Sequence, residues 1–434
     1  MSAATLALLL ALAGAPAGES LPLGVEEAVA LALQRSPELR LRRAEEQAAE
    51  AERRGARAER LPVVELTAGY TRQSDIRELV TVAPDGSETV LFPNLPNQTR
   101  SRVQLRLPLY TGGRLARLEA AARYREEAAA RDLEAVAADV ALATRRAYWS
   151  LVAARESERV LREALASFEA HLDDARNRER FGLAARNQVL SVQVERDRAE
   201  LRRLEAERDA ELAGAELERL LGLAAGQRVE PVEPLAVDPG LDPELEALVA
   251  RALERRPGRA ALVARVAAAQ AVSGAERAAR LPALSLGAGF DYANPNLRIL
   301  PPRGEWEKSW DLGVSLRFEL FDGGRRSAAE ARADSRAEAA RAALEAFDRN
   351  VRLEVTGAAL ELRTLRASLA VAQRALEAAR ESARVAGERE RAGVIPSSER
   401  LDAETALLRA GLDLTRARAG LRIARARLER ASGG

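Results

Sequence analysis

The sequence predicts a mostly α chain with a membrane β component: long antiparallel coiled-coil helical hairpins joined to four strands of bilayer-crossing length. Three observations lead there. The chain is duplicated within itself, its long proline-free stretches repeat apolar residues every 3.5 positions, and the segments between helices alternate apolar with polar residues.

The duplication sets the order of elements. Arg35-Ser36-Pro37 answers to Arg255-Arg256-Pro257, and Leu61-Pro62 to Leu281-Pro282, both 220 residues apart. Thr111-Gly112-Gly113-Arg114 answers to Asp322-Gly323-Gly324-Arg325, and Arg180-Phe181-Gly182 to Arg391-Ala392-Gly393, both 211 apart. The offset falls by nine, so the first half carries a longer loop within 71–102. One duplication with one localised length change marks two structural repeats. Each repeat predicts helix, strand, loop, strand, long helix, tight turn and long helix.

Taken in order, the chain opens on an apolar run, Leu6 to Leu12, too short to span a bilayer. Ala15-Pro16-Ala17 has the small-x-small form of a signal-peptide cleavage site, so residues 1–17 are expected to be an export signal. With no cysteine, the mature end is expected to carry no thioether-linked lipid. Residues 18–222 are the first repeat, with strands at about 62–71 and 102–110. A Pro-rich linker, 223–243, leads to the second repeat, 244–434, with strands at about 282–292 and 310–320.

The long helices show a coiled-coil spacing. From Leu344 through Phe347, Val351, Val355, Leu362, Leu365 and Leu369 to Ala386, the apolar seam averages 3.5 residues per step, the period of supercoiled helices. Leu133, Val136, Val140, Ala143, Ala147, Ser150 and Ala154 start the same seam in the first repeat, and Leu161, Leu165, Phe168 and Leu172 resume it. Gly182 and Gly393 stand where each seam breaks and supply the left-handed residue that ends a helix, so each hairpin has its tip there.

The strands alternate with period two. Trp310, Leu312, Val314, Leu316, Phe318 and Leu320 oppose Asp311, Gly313, Ser315, Arg317 and Glu319. Val103, Leu105, Leu107 and Leu109 oppose Gln104, Arg106 and Pro108. Leu284 to Tyr292 and Val64 to Tyr70 follow the same rule. A half-buried soluble sheet alternates too, but nine of the fifteen aromatics fall in 61–111 and 281–322, several at strand ends, as interfacial girdles require. Four strands cannot close a barrel, and an open edge is not tolerated in lipid. Two copies give eight strands and three give twelve; the pattern alone does not choose.

Composition narrows the chemistry. Lys+Arg 67 against Asp+Glu 66 leaves a net charge of +1, without the basic field that a nucleic-acid partner needs. No cysteine and a single histidine, His171, exclude disulfides, thiol catalysis and Cys/His zinc sites. His171 sits in a charged helical stretch and is expected on the surface. No nucleophile–base pair, phosphate loop or metal cluster is evident; Gly287-Ala288-Gly289 lacks the third glycine of a nucleotide fingerprint and lies in a strand. The expectation is no enzyme and no cofactor.

Leu61-Pro62 through Tyr70, the run Val103 to Gly113, and the Arg-x-Gly tips with their following helices resemble the TolC outer-membrane factor family across about residues 21–430. The resemblance implies a homotrimer with a twelve-stranded barrel in outer-membrane lipid and a twelve-helix periplasmic α-barrel. It implies the exit duct of a tripartite efflux pump or, alternatively, of a type I secretion system. The partners would be a periplasmic adaptor and, through it, an inner-membrane transporter. Linker 223–243 resembles the family's equatorial crossover. Pro108 would turn strand into helix in the first repeat; Glu319 stands in its place in the second, so Gly323-Gly324 must make that transition, as Gly112-Gly113 does in the first.

Glu399 and Asp402 lie three apart on one helix face just past the second tip, and their counterparts are Gln188 and Ser191. They match the family's acidic entrance ring; acids in a first helical turn also complement the helix dipole without any pore role. Tip residues Arg180, Gly182, Leu183, Arg391, Gly393 and Val394 match the family's adaptor-docking site. A periplasmic coiled-coil adaptor or scaffold is the rival from another class, and it accounts for neither the duplication nor the four strands.

Overall fold

The structure, a computed structural model, describes residues 20–224, 226–236 and 244–434. The expected export signal and the end of the linker, 237–243, lie outside the described residues.

In chain order the elements are β1 Ser20–Leu23, α1 Val25–Arg35, α2 Pro37–Ala58, β2 Val63–Arg72, β3 Leu79–Val82, β4 Glu88–Phe92, β5 Asn97–Tyr110, α3 Arg114–Arg180 and α4 Arg186–Leu221. The second half supplies β6 Arg228–Pro231, α5 Leu245–Arg255, α6 Pro257–Ala278, β7 Ala283–Asn294, β8 Glu307–Arg317, α7 Arg325–Arg391 and α8 Ser397–Ala431. The duplication recurs in three dimensions: α1 and α5 are 11 residues each, α2 and α6 are 22, and α3 and α7 are 67. At 1.5 Å per residue, each of the longest pair extends about 100 Å. Among the described residues no helix is long and apolar enough to cross a membrane.

The chain forms two compact units, each drawing on both repeats. One takes residues up to Ala44 with Ala130–Ala260 and Glu345–Gly434; the other takes Glu45–Ala129 with Ala261–Leu344.

The second unit holds a four-stranded antiparallel sheet in the order β2-β5-β7-β8. Its register places Leu66, Val103, Phe290 and Trp310 in one row across all four strands. Those side chains are exposed, as are Leu312, Val314 and Leu316 beyond them. The opposite face is polar, with Arg102, Asp291 and Ser309 in one row. Arg102 bridges Asp291 and Asp311 (3.1 Å to the latter), and Arg100 pairs with Asp291 at 2.6 Å. A face of large apolar groups turned outward, over a polar face on which Arg100, Arg102, Asp291 and Asp311 pair with one another, is the pattern of a sheet that meets lipid on one side.

Three strand-level expectations change. β8 ends at Arg317, not 320, and the residues up to Asp322 bring Glu319 and Asp322 back onto Arg325 and Arg326. Pro108 does not turn the chain into the helix; it stays inside β5 and coincides with a register irregularity between Pro108 and Tyr110. Proline lacks the N–H that a ladder bond needs, so a bulge is where an inner strand can hold it. The extra length in 71–102 is a hairpin of its own, β3–β4.

The first unit holds the apolar seams. Val351, Val355, Leu362 and Leu369 of α7 bury against Leu414, Leu421 and Leu428 of α8. On α3 the predicted seam departs at Ser150, which is exposed, while Tyr148, Trp149 and Leu151 are buried. There α3 packs against α1, α4 and the parallel pair β1–β6, which the sequence pattern did not reveal. The Tyr148 hydroxyl donates to the Leu23 carbonyl (3.0 Å) and accepts from the Glu233 amide (3.2 Å), so this large side chain is buried without an unsatisfied polar atom.

Candidate functional site

The two hairpin tips share one backbone solution. After α3, the Leu183 amide donates to the Arg178 carbonyl (2.8 Å) and the Gly182 amide to that of Glu179 (2.9 Å). After α7, Val394 donates to Arg389 (2.9 Å) and Gly393 to Glu390 (2.9 Å). Both are Schellman endings, which need a left-handed residue; Gly182 and Gly393 have φ of 74° and 73°. The turns leave large apolar side chains in solvent: Phe181 is 80% exposed, Leu183 77% and Val394 62%. Arg180 and Arg391 are the last residues of their helices.

Behind the tips lies a charged cluster that joins the hairpins of the two repeats. Arg178 of α3 pairs with Glu390 of α7, and its guanidinium also donates to the Glu390 carbonyl at 3.0 Å. Arg400 of α8 reaches Glu390 at 3.3 Å and Glu404 at 3.0 Å, with Asp174 at 3.7 Å. Burial works against the Arg400 charge, but Glu404 and Glu390 outweigh it and hold the guanidinium ionised. His171 places Nδ1 3.1 Å from Glu404 and Nε2 2.8 Å from the Ser397 hydroxyl. Arg178, Glu390, Arg400, Glu404 and His171 thus form one chain of partners across three helices.

His171 is the plain correction: expected on the surface, it is 1% exposed. It lies three residues after Phe168, hence on the apolar stripe that continues to Leu172 and Ala175. That spacing was the available signal, and the surrounding charges obscured it. Arg400, Glu390 and Glu404 were missed for the same reason. Their positions in the first repeat, 211 residues earlier, hold Val189, Glu179 and Gln193, so the Arg400–Glu404 pair has no counterpart on α4.

Glu399 stands in the first turn of α8 and Asp402 in the second, both exposed, and neither carboxylate makes an ion pair among the described residues. The cluster leaves them free because Arg400, between them in sequence, points the other way into Glu390 and Glu404. The strand-to-helix turns lie in the other unit. Gly112 and Gly113 have φ of 62° and 80°, and Gly323 and Gly324 have 67° and 88°. At Gly112 an added Cβ would stand 2.7 Å from the Leu281 Cβ, whereas Gly113, Gly323 and Gly324 face open space.

The sequence pattern of outer membrane efflux proteins matches residues 28–223 and 248–434. The chain belongs to that family. CyaE of Bordetella pertussis is 31% identical over 316 residues, 71% of this chain but only 62% of CyaE, so the match spans less than two thirds of that relative. A membrane protein from Pseudomonas aeruginosa superposes with a TM-score of 0.79 at 25% identity, over 94% of this chain and 90% of the other. The outer membrane protein VceC from Vibrio cholerae superposes at 0.78 with 20% identity, over 94% and 96%. As an outer membrane efflux protein, the chain resides in the outer membrane, with its long helical part on the periplasmic side.

Proposed function

We propose that three copies of this chain build the outer-membrane exit duct of a tripartite pump, a twelve-stranded barrel continued by a twelve-helix tunnel, which passively exports small molecules. The observation that carries the proposal is the open sheet. Among the described residues β2 and β8 each present an unpaired edge, and their apolar residues are exposed. Unpaired backbone groups in lipid cost several kcal/mol each, so the edges must be completed by neighbouring copies. Three four-stranded sheets give a wall wide enough to enclose water; two give a barrel that its own side chains fill.

In this proposal the exposed tips, with Arg180, Gly182, Leu183, Arg391, Gly393 and Val394, receive a periplasmic adaptor that leads to an inner-membrane transporter. Glu399 and Asp402 ring the entrance and favour cations, six carboxylates in three copies. The transporter, not the duct, selects the cargo. Purified protein reconstituted in planar bilayers tests the duct: stable stepwise conductance is expected, and protein that inserts without conducting overturns it. Deletion of the gene should also raise sensitivity to exported compounds, whereas a strain that loses only secretion of a protein would favour the type I secretion outlet.

A further inference from the structure

The polar face of the sheet is nearly self-neutralised, with one exception on an interior strand. Arg100 and Arg102 of β5 are tied to Asp291, Arg102 also to Asp311, and Arg298 reaches Asp311 at 3.0 Å. Gly289 leaves the space that the Arg102 side chain occupies on its way to Asp311. Two rows nearer the helices on the same face stands Arg106, exposed and without an ion pair among the described residues. Its neighbours in the row are Val63 on one side and Gly287, then Gly313, on the other. Two glycines and a valine offer it no acceptor. Because β5 lies between β2 and β7, the lateral surroundings of Arg106 are complete within one chain. Glu65, on the edge strand one row away and opposite Gln104, makes no ion pair among the described residues, with Arg106 or otherwise. Arg317, also exposed and without an ion pair among the described residues, closes the same end of the face on edge strand β8.

We infer that Arg106 is an anion-binding position inside the duct: on assembly, one guanidinium from each copy projects into the lumen at the helix end of the barrel and there concentrates small anions, carboxylates and phosphates among them. This rests on the duct proposal above, with the polar face of the sheet lining the lumen. A guanidinium presents several donors in a plane and stays charged at any working pH, so it suits carboxylate and phosphate oxygens. Charged rings set ion preference in pores by the same physics. The glycines at 287 and 313 matter because they leave the approach to the guanidinium open on the side toward β8.

The test uses the full chain in planar bilayers under a KCl gradient, with inorganic pyrophosphate as the probe. Arg106→Gln is expected to lower the chloride-to-potassium permeability ratio at least twofold and to raise the pyrophosphate concentration for half-block at least fivefold. Arg106→Lys keeps the charge and should retain most of the permeability ratio while losing part of the block. If Arg106→Gln inserts poorly, Arg106→Lys alone must still show the separation. Conducting channels whose ratio and block are unchanged by either substitution overturn the inference. A parent chain that does not conduct overturns the duct itself instead.

Discussion

Removing Glu390 should unlatch the two hairpin tips. Its side chain is 5% exposed and receives both Arg178 and Arg400. Breaking a buried pair by deleting one partner costs about 3–5 kcal/mol, because the remaining charge is left without compensation. Arg400 is itself only 9% exposed but keeps Glu404, and Arg178 is 34% exposed, so its share is screened by solvent. The lower end, about 3 kcal/mol, is therefore the expected loss, or roughly a hundredfold in the equilibrium between joined and separated tips. Amide hydrogen exchange of Glu390→Ala should show protection reduced about a hundredfold over residues 174–182 and 388–402. Glu390→Gln should lose less, since an oxygen remains. Arg384→Ala, which removes exposed pairs with Glu381 and Glu388, serves as the control and should change protection less than about fivefold. Protection in Glu390→Ala equal to the control would show that the cluster does not join the hairpins.

Neutralising the entrance acids, Glu399→Gln with Asp402→Asn, is expected to lower cation preference in bilayer recordings; an unchanged reversal potential leaves them as helix-dipole partners only. Gly182→Asp or Gly393→Asp puts a charged side chain on an exposed tip in a left-handed conformation that aspartate tolerates better than most residues, and should abolish export while assembly proceeds; normal export would exclude docking there. Gly112→Ala should destabilise by about 2–5 kcal/mol, adding overpacking against Leu281 to the backbone strain, while Gly113→Ala should cost only the strain; equal melting temperatures would contradict the difference in space. Burial pushes Glu354 up, but Arg256 and Arg430 outweigh it and hold its carboxyl below the usual 4.5. Its ionised form is favoured by the fold, so its contribution is present above that value and is lost as pH falls through the lower folded one. Glu354→Gln should therefore flatten the acid side of a stability-versus-pH curve, and parallel curves would refute the linkage.

Much of the architecture was legible because repetition and period are one-dimensional properties. The paired landmarks at Pro37 and Pro257 begin helices of equal length, and those at Arg114 and Arg325 do the same. The row of Leu66, Val103, Phe290 and Trp310 follows from strict alternation once register is known. What escaped was set by contacts between distant segments. Tyr148 displaces Ser150 from the seam because β1 and β6 lie against α3, and neither four-residue strand has a pattern long enough to detect. The β3–β4 hairpin hid within a loop whose length, but not pairing, the repeat offset disclosed. At the tips, the glycines were visible as seam breaks, whereas the buried cluster was not. A charge on a helix looks solvated until its partner, more than 200 residues away for Arg178 and Glu390, is known to face it.

The central claim is that one chain is a third of a wall. Native mass spectrometry of the protein released from detergent micelles measures this most directly, since it counts the copies. Three copies per particle, with monomer recovered only on denaturation, is the predicted result. A folded monomer that stays soluble without detergent, its four strands intact, would contradict the account.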